Sequence, residues 1–217
     1  MKTPWTEWVK RYVFLVIGLG IMAFGVAFSI KGDLGTSPIS SLPYVTGQIS
    51  GLTVGQTTII MHCVFIVIQI LLLRRQFKPV QLLQLPVAII FGYLTDLAVW
   101  AVGALSYNAY WQQWIYCILG ILLVGVGVSF EVVAGAVTLA GEGVVLAVCQ
   151  VTGQPFGRMK VSFDVTLVVL SVILSFIFLH GLYGVREGTV AAALCVGMVS
   201  KTLNPRLKKV AGKLLGI

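Results

Sequence analysis

Apolar residues in this chain fall in long, nearly unbroken runs, with polar residues in short clusters between them. A membrane span needs about 20 apolar residues at a rise of about 1.5 Å each. Six stretches reach that length: 12–30, 54–73, 80–101, 113–133, 160–180 and 188–204, the last being the weakest. Two shorter stretches remain, LGTSPISSLPYVTGQIS at 34–50 and AVTLAGEGVVLAVCQVT at 136–152. Each predicts a helix of about 10–12 residues, half the length needed for a hydrocarbon core of about 30 Å. Ser37 followed by Pro38 reads as an N-cap with proline in the first turn. Helices of half length point to re-entrant segments, with interfacial helices as the alternative.

The pattern also repeats. QISGLTVG at 48–55 returns as QVTGQPFG at 150–157, 102 positions on. The same offset pairs Gly18 with Gly120, Gly25 with Gly127, Phe28 with Phe130, Thr36 with Thr138 and Val67 with Val169. After a three-residue slip, Ala88 pairs with Ala193 and Gly92 with Gly197. Residues 1–107 and 108–217 thus each read as span, re-entrant helix, span, span. Head-to-tail copies with an odd number of spans must lie in opposite orientations. The expected fold is an all-α membrane protein with six transmembrane helices in two inverted three-span repeats, each with a re-entrant half-helix. Gly51 and Gly55, like Gly153 and Gly157, have the four-residue spacing that lets membrane helices pack closely.

Composition agrees. The chain is 58% apolar and 10% charged, too few charges to cover a water-soluble domain. A net charge of +8 raises nucleic-acid binding, but the basic residues sit at the ends and in short loops, as positive-inside anchoring requires. With the N-terminus inside, six spans and two re-entrant segments place 13 Lys and Arg in the cytoplasm and 2, Lys31 and Arg186, outside. Eight full spans would give 10 against 5. The first apolar run is too long for a signal-peptide core and is expected to stay as a span. Cys63, Cys117, Cys149 and Cys195 lie in apolar runs without metal-ligand spacing and read as buried small residues.

GDLGTSPISSL (32–42), GLTVG (51–55), GEGVVL (141–146) and REGTVAAALCVGM (186–198) carry a resemblance that covers most of the chain. It resembles the YczE/YitT-type bacterial integral membrane proteins. The resemblance implies a bacterial inner-membrane protein with a transporter's role and supplies no substrate.

Ionisable residues inside a membrane cost at least about 2.5 kcal/mol each on insertion scales, so each needs a reason. Glu142 lies between Gly141 and Gly143 at the start of the second re-entrant helix. It either caps that helix or faces a substrate cavity and couples protons to transport. Its counterpart is Ser40, so the repeat breaks its symmetry there. His62 and Asp164 occupy equivalent positions in the second and fifth spans. They are either satisfied polar residues near helix ends or a gate or proton relay. Thr36, Ser37, Ser40 and Ser41 offer hydroxyls at the first re-entrant tip, a cradle for an anionic group beside free N–H groups. Asp96, Glu131 and His180 read as interfacial. Arg158 and Lys160 anchor the fifth span or meet a departing anion. Trp5, Trp8, Trp100, Trp111 and Trp114 read as an aromatic belt.

No hydrolase, zinc-protease or phosphate-loop motif is present, so no enzyme activity, cofactor or metal is expected. The expected function is carrier transport of a small anionic or zwitterionic metabolite such as an amino acid or organic acid. A channel of the same plan is one alternative. Another is the substrate-binding subunit of a vitamin importer, for which Ala23 and Ala27 would offer a small-residue docking face. The expected partners are the lipid bilayer and a small-molecule substrate, not nucleic acid. The glycine-rich run ILGILLVGVGV (118–128) would pack either within the chain or across a homodimer.

Overall fold

A computed structural model describes residues 5–215, without the side chains of Thr6 and 212–215. Lys2 and the side chain of Lys213, counted above, lie outside it. Its eight α-helices are α1 (Trp5–Gly32), α2 (Pro38–Ser50), α3 (Val54–Leu73), α4 (Gln84–Val102), α5 (Tyr110–Ala134), α6 (Ala140–Thr152), α7 (Phe156–Leu179) and α8 (Glu187–Leu215). Five helical segments among the described residues are long and apolar enough to cross a membrane: Glu7–Gly32, Val54–Gln76, Pro79–Val102, Tyr110–Ala134 and Phe156–Leu179. The expected sixth span, 188–204, lies inside α8 and falls short of them. Its apolar stretch leans on small alanines and is cut by Ser200, Lys201, Thr202 and Asn204 before the helix runs into a basic end.

Both half-helices form where the sequence places them, each 13 residues long. Gly51 and Gly153 end them in the left-handed region, at φ of 73° and 69°. Their N–H groups return to Gly47 O and Cys149 O, a cap that glycine makes without a Cβ penalty. This corrects the reading of the paired four-residue glycine spacing. Gly51 and Gly153 are caps with open space around them, and of the other two only Gly55 packs closely.

At the centre α1 crosses α5, and glycines set the approach. A Cβ on Gly25 would stand 2.8 Å from Gly120 O, and one on Gly127 would stand 2.7 Å from Gly18 O. Gly32 sits against Gln113 O. Partners descend along α5 as α1 ascends, so the two helices are antiparallel. Gly125 takes Val199 of α8 on another face of α5. The 118–128 glycines are therefore used within the chain and leave no glycine seam for a homodimer. Ala23 and Ala27 are likewise buried in the core, which removes the docking face expected of an importer subunit.

α2 lies along α7 and α6 along α3, so each half-helix leans on the other half of the chain. One end of the bundle gathers the C-termini of α1 and α4 with the N-termini of α5 and α8. There Lys31 donates to Gly103 O, Arg186 to Asp33 O and Tyr110 to Glu187. Its own backbone N–H holds the Glu187 carboxyl below its ordinary range against the opposing effect of burial, with Tyr110 and Arg186 adding to the lowering. At the opposite end Gln150, in the last turn of α6, donates to Gln76 after α3.

Candidate functional site at the half-helix tips

The N-termini of α2 and α6 meet. Ile39 of α2 fills the space a side chain at Gly141 of α6 would need, with Phe65 of α3 beside it. Met61, Phe65, Ile66, Ala140, Val144 and Leu167 form the apolar cluster that holds the two tips together.

The hydroxyls of the first tip are buried and largely paired with protein. Ser37 is the N-cap residue, yet its hydroxyl makes no capping bond and donates to Ser40 Oγ instead. Ser41 bonds Pro38 O and shares a 2.9 Å contact with Ser171 of α7. Thr36 is tied through its N–H and its hydroxyl to Gly184 O in the α7–α8 loop. Ser41 and Thr36 thus fasten the first tip to α7 and its following loop, while Ser37 and Ser40 pair with each other.

The second tip has a different chemistry. Leu139 is its N-cap and has no side-chain oxygen to offer. Its N–H donates instead to Glu131 of α5, at 2.6 Å. Glu131 is 2% exposed, which corrects its interfacial assignment. In a capping box the carboxylate three residues into the helix takes this N–H. Here that residue is Glu142, and Glu131 has its place, so Glu142 is left half-buried without the capping bond. Glu142 lies within electrostatic reach of Glu131, Lys160 and Asp164. Lys160 and Asp164 form a 2.7 Å ion pair one turn apart on α7. Three carboxyl groups thus lie within electrostatic reach of one ammonium around the α6 N-terminus.

Gly141 and Gly143 are both buried with neighbours pressed against them. Beside Gly143 lies a buried amide pair that the sequence reading passed over. Gln69 donates to Gln84 Oε1 at 2.9 Å and to Ala140 O at 3.1 Å, and its own oxygen has no partner. Ser41 with Ser171, and Gly143 with Gln69, are the same two positions under the 102-residue offset. Glutamines inside apolar runs were the signal that could have found them.

His62 is buried edge-on to Phe65 and Phe91, with no partner for Nδ1. The structure does not join it to Asp164, which pairs with Lys160. Asp96 has a definite structural role. It accepts from the Thr53 hydroxyl at 2.6 Å and from Gly55 N–H at 2.7 Å, clamping α4 to the start of α3. An apolar groove of about 670 Å³ runs along the first half of α1, between Trp5 and Leu83. No residue of either tip lines it.

Five apolar helices, a tightly packed centre and aromatic side chains exposed at helix ends define a multi-pass membrane protein. The chain belongs to the DUF6198 family, a family of unknown function, whose model matches residues 9–205. It is 29% identical over 202 residues to the uncharacterized membrane protein YczE of Bacillus subtilis, covering 92% of this chain and 88% of that one. It is 26% identical over 201 residues to the uncharacterized protein YyaS of the same organism, covering 92% and 94%. The expected likeness to YczE is met. No solved structure matches the chain.

Proposed function

We propose that this protein is a carrier for a small anionic or zwitterionic metabolite, built from two inverted three-span repeats with α8 supplying the sixth span. The meeting of the α2 and α6 N-termini at Ile39 and Gly141 carries the reading. Half-helices whose N-termini face each other inside a bundle present positive dipole ends to an anionic group. The α1–α5 crossing supports the inverted repeat. Gly18 meets Gly127 while Gly25 meets Gly120, the reciprocal pattern of a two-fold interface between copies paired Gly18 with Gly120 and Gly25 with Gly127.

In this reading the protein sits in the bacterial inner membrane with both termini in the cytoplasm. The Lys31 and Arg186 end of the bundle then faces outward, and the Gln76 and Gln150 end inward. The acid-rich second tip favours a zwitterion, its ammonium beside Glu142 and its carboxylate toward the helix ends. Asp164 and His62 are the remaining coupling or gating candidates. The test is counterflow in liposomes. Preloaded amino or organic acid should accelerate uptake of the same labelled solute. Uptake without such acceleration would indicate a channel, and no movement under any gradient would end the carrier reading.

A further inference from the structure

The two halves differ sharply at one interface. In the first half, Asp96 of α4 holds Thr53 and Gly55 at the start of α3. Gly92 lets the α4 backbone close on Gly55, whose carbonyl lies 2.7 Å from where a Gly92 Cβ would stand, and Ile59 packs over it. The offsets that align the halves place Lys201, Pro155, Gly157, Gly197 and Val161 at the positions of Asp96, Thr53, Gly55, Gly92 and Ile59. Lys201 has no acceptor for the N–H groups at the start of α7, and Pro155 has no hydroxyl. Gly157 and Gly197 keep the room for a close helix approach, yet neither faces any atom within 4 Å. Val161 is 64% exposed. Only 17% of the most apolar window of α7 is buried, against 44% for α3.

We infer that α7 and α8 form a gate that stands open in this structure and closes by bringing Gly157 onto Gly197, while α3 and α4 are the corresponding gate held shut by the Asp96 latch. The inference rests on the inverted-repeat carrier reading. It names the side from which the half-helix tips are reached, the end of the bundle where α7 begins. A gate without its latch closes weakly and reopens readily, because closing moves Lys201 toward the positive N-terminal end of α7.

The test transplants the latch. In a variant with the four native cysteines replaced, Val161→Cys should react with a charged, membrane-impermeant thiol reagent in inside-out vesicles, and Ile59→Cys in right-side-out vesicles should not. Adding Pro155→Thr and Lys201→Asp should slow the Val161→Cys reaction at least about tenfold. Hydrogen exchange on the otherwise native chain provides a cysteine-free reading. Amides of 156–162 should exchange about tenfold faster than those of 54–60, and the transplanted latch should remove the difference. An unreactive Val161→Cys would mean that the gap faces lipid, and a latch without effect on either readout would mean that the helices do not close; each overturns the inference. Neither readout involves a solute, so failure here is separable from failure of the carrier reading.

Discussion

The N–H of Leu139 donates to the Glu131 carboxylate across 2.6 Å, joining the end of α5 to the start of α6. The bond replaces the cap that Leu139 has no side-chain oxygen to provide, and it relieves Glu142 of that duty. Glu131→Ala leaves a buried N–H unpaired and should cost about 1–3 kcal/mol in a thermal unfolding series in detergent. Glu131→Gln, which keeps an acceptor, should cost less, and Glu142→Gln least of the three. Equal losses for Glu142→Gln and Glu131→Ala would return Glu142 to a structural role.

Gly25 and Gly20 test the α1–α5 crossing. A Cβ on Gly25 meets the backbone of α5 at 2.6–2.8 Å, whereas one on Gly20 meets nothing within 4 Å. Overpacking of this kind costs about 1–3 kcal/mol. Gly25→Ala should lower the melting temperature clearly, and Gly20→Ala should leave it unchanged or raise it. A tolerated Gly25→Ala would contradict the close crossing.

Much of this arrangement could be read from the chain. Apolar run length located the helices, because a hydrocarbon core sets their length, and the doubled octet located both half-helix ends. Site chemistry was less legible. Glu131 looked interfacial from its place near the end of a run, since one-dimensional position does not show that α6 folds back over it. Thr36 and Ser41 looked like part of an open cradle because their partners are 148 and 130 residues away, at Gly184 and Ser171. Gly157 looked like a packing glycine because its octet matches that of Gly55. The decisive difference, Asp96 against Lys201, lies on other helices.

Ser41 and Ser171 fasten the first half-helix to α7. A double-mutant cycle with Ser41→Ala and Ser171→Ala should give a coupling of about 0.5–1.5 kcal/mol, the net value of one buried hydrogen bond. Strict additivity would show that the contact does not hold the tip.

The charge count predicts an orientation, with the Lys31 and Arg186 end outside. A single cysteine at Ser106 should react with an impermeant thiol reagent on intact cells, and one at Gln76 should react only after permeabilisation. The reverse pattern would invert the assignment of outer and inner gates.

The most direct test of the carrier claim is thermal stabilisation of the purified protein by amino acids, organic acids, sulfonates and vitamins, with Glu142→Gln in parallel. A ligand at about 100 times its dissociation constant stabilises the native state by about 2.7 kcal/mol. The account predicts a rise in melting temperature with an amino or organic acid, lost in Glu142→Gln. A rise that Glu142→Gln retains in full, or no rise with any compound at saturating concentration, would contradict it.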